Sequence, residues 1–182
     1  MLQNWAVPVG HFLGGAALAI LCLAALHDIL ARTVPDWMSI ALVAIGIAKS
    51  ALDGRLIASL LVGALVFVVS GLCWKRGWLG GGDVKLLGAA SIAVPPIAVA
   101  PFVTAVALAG GVLSLVYLAL GRLIPRSVLR RSVLRPAVPR RQADRPVGLL
   151  PRALRLECWR LSRQGPLPYA VAIAAGGLFV LL

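Results

Sequence analysis

The chain has 182 residues, 60% hydrophobic and 13% charged, with a mean hydropathy of +0.96. That is far more apolar than a soluble domain of this size needs for its core, and it excludes a soluble globular protein. The net charge of +12 invites a nucleic-acid reading, but 12 of the 18 basic residues lie between Arg122 and Arg163, flanked by apolar segments. That position favours anionic lipid headgroups and no nucleic acid.

A hydrocarbon core of ~30 Å takes ~20 apolar residues as helix. Hydropathy predicts about six spans, at roughly 10–27, 37–53, 56–74, 84–95, 97–121 and 166–182. The runs lack the alternation of a membrane barrel, and their Ala, Leu and Gly content suits packed helices. The expected fold is therefore all-α: a polytopic transmembrane bundle forming a single domain over 1–182, with 122–165 a basic loop before the last span. Met1–Gly10 contains no Lys or Arg, so the first run is expected to be retained and not cleaved as a signal. In the second span, Lys49 is expected to snorkel toward an interface. Residues 84–121 read as one helix would run ~57 Å, so Pro95-Pro96 are expected to turn the chain between two spans. Cys22, Cys73 and Cys158 show no CxxC spacing and read as inert thiols. His11 and His27 fall on opposite sides, and no metal pair is available.

Orientation follows from Lys and Arg. With six spans, the loops at 28–36, 75–83 and 122–165 share one side and carry Arg32, Lys75, Arg76 and the twelve arginines. Only Lys49 and Arg55 fall on the other, and the positive-inside rule makes the first side cytoplasmic. Of only six acids in the chain, Asp28 ends the first apolar run and Asp83 follows Gly80-Gly81-Gly82. Two crossings separate them, so both reach the cytoplasmic edge. Two carboxyls sharing a low-dielectric site ionise one at a time, which leaves a base to polarise water and an acid to protonate the leaving group, with no cofactor or metal required. Each motif also has a plainer reading: Gly-Gly-Gly-Asp as a turn with a solvated acid, and Asp28 as a cap or a partner of Arg32. Arg32 and Lys85 can act electrostatically on the pair or serve topology. The glycines leave backbone open to an extended substrate and permit a re-entrant turn.

The stretch Asp28-Ile-Leu-Ala-Arg32-Thr-Val-Pro35-Asp36-Trp37 resembles the first-aspartate motif of the prepilin peptidases. Gly80-Gly81-Gly82-Asp83-Val84-Lys85-Leu86-Leu87 resembles their GxGD motif, and Leu167-Pro168-Tyr169 their closing Pro-Tyr segment. The resemblance implies an aspartic membrane protease that removes the basic leader of type IV prepilins at the cytoplasmic face of the bacterial inner membrane. It carries Asp28 and Asp83 over as the catalytic pair, with Gly80, Gly81, Gly82, Lys85, Arg32 and Pro35 as motif support. The lack of an N-terminal cysteine-bearing region makes the chain look like the compact peptidases of tight-adherence (Flp-type) pili. Two features depart from the pattern. Asp36 stands where the family has Asn, adding a third acid near the pair, and the long loop carries the repeat Arg126-Ser-Val-Leu-Arg130, Arg131-Ser-Val-Leu-Arg135. Within that loop, residues 149–163 read as an amphipathic helix on the anionic leaflet or as a solvated segment. The alternatives from other classes are a small membrane transporter, which would place its acids near mid-span, and a pilus-assembly scaffold.

Overall fold

The computed structural model describes residues 3–123 and 168–181, and everything described is helix or the turns between helices. Among the described residues six α-helices follow one another: α1 (Gln3–Ala31), α2 (Asp36–Leu52), α3 (Leu56–Lys75), α4 (Gly81–Ala93), α5 (Val99–Leu123) and α6 (Tyr169–Leu181). The all-helical expectation holds, and each predicted run overlaps one of these helices. Three are long and apolar enough to cross a membrane, Val7–Ala31, Leu56–Lys75 and Pro96–Ala119, and Tyr169–Leu181 is a shorter apolar helix. The Arg126–Arg135 repeat and the amphipathic reading of 149–163 lie outside the described residues.

Met1–Gly110 and Pro168–Leu182 form one compact unit, and Gly111–Leu167 forms a second. Of the second, the description covers the last part of α5, where Val112, Leu115 and Leu118 are exposed.

In the first unit, α1 buries Gly14, Ala17, Leu21, Ala24 and Asp28. Those steps of three and four residues draw one seam down the helix, and they put the carboxylate of Asp28 in line with apolar neighbours. Leu23 and Leu26 on the same helix are more than half exposed, as are Leu61, Leu65 and Val68 on α3. Such an apolar exterior suits lipid, which solvates it without penalty. α4 is the central helix. It packs against α2, α3 and α6, and between Val84 and Ala93 only Lys85 is exposed and only Ile92 is partly buried. With protein on every side, α4 does not need the length of a lipid-facing span, and its 13 residues reach ~20 Å.

Small residues let the backbones close in. A Cβ on Gly46 of α2 would stand 2.8 Å from the Ala93 amide nitrogen, and one on Gly63 of α3 would stand 2.5 Å from the Ile92 side chain. Buried hydroxyls return to their own helices: Ser91 donates to the Leu87 carbonyl at 2.8 Å and Ser70 to that of Val66 at 2.7 Å. Lys49, expected to snorkel, directs its Nζ at the Ala93 carbonyl at 3.4 Å. That carbonyl belongs to the last residue of α4, where a cation meets an unsatisfied acceptor and the negative end of the helix dipole.

The turns follow from their residues. α3 ends in a Schellman motif: the Gly77 amide donates to the Trp74 carbonyl at 2.8 Å, the Trp78 amide to that of Cys73 at 3.0 Å, and Gly77 has φ 76. Gly54 plays the same part after α2. Pro95 is extended and Pro96–Ala98 make one 3₁₀ turn into α5, so the diproline breaks the 38-residue apolar stretch as expected.

Candidate active site

Both site aspartates sit inside helices, not in the loops the apolar runs implied. α1 continues past the hydrophobic run to Ala31, which places Asp28 in its last turn, 7% exposed. α1 then stops at Arg32, whose amide donates to the Asp28 carbonyl at 2.9 Å and whose φ is 56. This is the left-handed cap that Gly ordinarily takes, and an L side chain there costs roughly 1–2 kcal/mol. The turn is tied across by His27, whose Nδ1 lies 2.5 Å from the Thr33 carbonyl oxygen, so Nδ1 carries the proton and donates. His27, to which the sequence assigned no role, thereby shapes the segment that follows Asp28.

Asp83 is the third residue of α4, with Gly80 as N-cap. Its carboxylate accepts a hydrogen bond from the Gly80 backbone amide, the reach-back of a capping box. A Cβ on Gly80 would stand 2.7 Å from Asp83 Oδ2, so any other residue there would displace the carboxylate. The glycines do not serve the turn that their sequence suggested: the positive-φ glycines are Gly54 and Gly77, and Gly80 is extended. A Cβ on Gly81 or Gly82 would meet Trp74 or Val34 at ordinary contact distance, 3.5 Å in each case. The contact between Gly82 and Val34 brings the first motif against the second.

Asp83 precedes the apolar run that begins at Val84 and lies outside the membrane-spanning segments. Burial pushes its carboxyl up to about 6, the Asp28 charge adds to the rise, and the Gly80 amide opposes it. The two acids thus feel each other across α1 and α4, which pack together. Asp28 also accepts from the backbone amide of Ala170, in the first turn of α6, at 3.4 Å.

Lys85 and Asp36 account for each other. Lys85 Nζ donates to Asp36 Oδ1 at 2.8 Å, with both side chains at least half exposed. The extra acid of the first motif is neutralised by the lysine of the second, and an exposed pair of this kind contributes about 0.2–1 kcal/mol. Pro35 is the N-cap of α2, with φ −62 and ψ 137, and holds the chain extended just before Asp36. Beside the site, Arg76 stacks over the Trp78 ring, 5.5 Å from its centroid. Among the described residues no group of three His, Cys, Asp or Glu side chains could hold a metal ion.

Compared with protein families, residues 15–115 match the type IV leader peptidase family. The chain belongs to that family. More than half of its length is covered, and both aspartates, Arg32, Pro35, the three glycines and Lys85 fall within the match. Membership makes the chain a membrane protease of the leader-peptidase kind, with prepilins as its substrate class. No curated protein and no solved structure matches the chain. Sequence reasoning did not find the Ala170 amide. A backbone donor leaves no signature in residue type, and the neighbouring Pro168-Tyr169 was the one signal pointing there.

Proposed function

We propose that the protein is an aspartic endopeptidase of the bacterial cytoplasmic membrane that removes the leader of Flp-type prepilins at the cytoplasmic face, with Asp28 and Asp83 as its catalytic pair. The observation that carries the reading is the coupling of two half-buried or buried carboxyls, one from the end of α1 and one from the start of α4, with Asp83 raised to about 6 by burial and by the Asp28 charge. Up to about pH 6 such a pair holds one proton, the state acid–base hydrolysis needs. The carboxylate member takes a proton from water as its oxygen attacks the scissile carbonyl carbon. The protonated member gives its proton to the carbonyl oxygen; collapse then breaks the C–N bond, with proton return to the leaving nitrogen. The products are a leader ending in a carboxylate and a pilin with a new amino terminus.

In this reading Gly80 gives the Asp83 carboxylate room, and Arg32 with Pro35 shapes the chain after Asp28. Lys85 holds Asp36 and thereby the two motifs together. The arginines of 122–163 suit anionic headgroups. Both acids belong to one end of the bundle, which supports hydrolysis at one face over a relay across the membrane.

The test is co-expression with a Flp-type prepilin and intact-mass analysis of the pilin. Wild type is expected to remove the leader, and Asp28→Asn and Asp83→Asn each to slow removal by at least ~100-fold while remaining in the membrane. Comparable cleavage by either variant would falsify the pair.

A further inference from the structure

α6 lies beyond the residues that match the family, yet its first turn reaches the site. Pro168 is buried and has no amide hydrogen; its carbonyl accepts from the Val171 amide at 3.2 Å. The amides of a first helical turn have no acceptor within the helix. That of Ala170, a residue with no exposed surface, finds Asp28 Oδ2 at 3.4 Å. The donor and the acceptor are both buried, and they are 142 residues apart in sequence.

The height of that amide is set by packing. A Cβ on Gly176 would stand 2.5 Å from a Val106 methyl, and one on Gly177 2.6 Å from Leu21 Cδ1, so α6 lies close against α5 and α1. At its upper end the Tyr169 ring covers Gly110. A Cβ there would stand 3.1 Å from the phenol oxygen and 3.2 Å from Cζ. α6 is therefore held at three places and cannot slide along α1 without displacing a side chain.

We infer that the first turn of α6 is a working part of the catalytic site: the Ala170 amide holds Asp28 as the proton acceptor of the pair, and Tyr169, seated on Gly110, positions that amide. Asp28 is then the base that activates water, and Asp83 is the acid. An N–H aimed at a carboxylate oxygen favours the acceptor form and steadies the lone pairs used on water. Asp83 accepts a bond of the same kind from the Gly80 amide of its own helix, but burial and the Asp28 charge outweigh it there. Ala170 and Tyr169 are positioning residues acting through Asp28, and the inference rests on the proposed pair.

The experiment uses the full-length enzyme in detergent micelles with a prepilin, reading kcat and KM separately and melting each variant. Gly110→Ala pushes on the Tyr169 ring. It is expected to lower kcat ~10- to 100-fold with KM unchanged, and Tyr169→Phe in the same chain is expected to restore part of the loss by removing the nearest clashing atom. Ala170→Pro deletes the amide and is expected to lower kcat. A folded Ala170→Pro with wild-type kcat, or a Gly110→Ala loss that Tyr169→Phe leaves untouched, overturns the inference. If Ala170→Pro does not fold, the Gly110 and Tyr169 pair decides. Failure of the inference with Asp28→Asn still inactive leaves the protease reading standing; failure of wild type to cleave removes the reading itself.

Discussion

At the scale of single residues, Asp83 combines two roles that pull against each other. It caps its own helix through Gly80, and burial beside Asp28 disfavours its charge. A carboxyl raised from 3.8 to about 6 binds its proton more tightly folded than unfolded, so its contribution to stability is complete below the unfolded value and is lost as pH rises through about 6. Asp83→Asn, which cannot ionise, is expected to melt a few degrees above wild type at pH 7.5 and level with it at pH 4, as melting scans in detergent at the two pH values would show. An equal or lower melting temperature at pH 7.5 contradicts the burial cost. If Asp83 is the acid, the proton lost near 6 is also the one catalysis needs. kcat/KM is then expected to fall as pH rises through about 6, and a rise over that range would exchange the roles of the two aspartates.

At the scale of elements, the site depends on where helices stop. Gly77 closes α3 in a left-handed conformation, so that three residues later Gly80 can begin α4. Gly77→Ala would force a Cβ into that conformation at about 1 kcal/mol. It is expected to lower the denaturation midpoint while Ala at the neighbouring Trp78 costs less, a comparison that chemical denaturation of the two variants makes directly. A Gly77→Ala midpoint equal to wild type would show that the loop has another way to turn. Arg32 does the opposite: it accepts the left-handed strain at the end of α1, where the backbone must leave Asp28 and return to meet Gly82. Strain of this kind is retained where the surrounding structure requires it. The helix ends were only partly legible in sequence. Pro95-Pro96 announced a break through rigid local chemistry, whereas the continuation of α1 to Ala31 was hidden, because hydropathy records what contacts lipid and not where hydrogen bonds continue.

At the scale of the whole molecule, the short α4 is buried by α2, α3 and α6, and lipid-facing length is left to the outer helices. The proposed orientation puts the α3–α4 turn in the cytoplasm and the α2–α3 turn outside. In a chain with Cys22, Cys73 and Cys158 changed to Ser, an impermeant maleimide applied to intact spheroplasts is expected to label Asp53→Cys. Lys75→Cys is expected to react only after the membrane is permeabilised. The reverse pattern would invert the protein and separate the site from a cytoplasmic substrate end.

From residue order alone came the helical class, the lipid-facing character and the expectation that both aspartates return to one edge. The first two are local properties of composition and period, and the third follows from counting crossings. Of the three short motifs that resemble the prepilin peptidases, the two carrying the aspartates fall within the family match over residues 15–115. Tertiary structure alone decided what surrounds the pair. It joined Lys85 to Asp36, folded the Asp83 carboxylate back over Gly80, and brought the Ala170 amide to Asp28. Those contacts depend on the depth and rotation of packed helices, set by close approaches at Gly46, Gly63, Gly176 and Gly177. A linear pattern states which residues are small, but packing determines what each of them lets through.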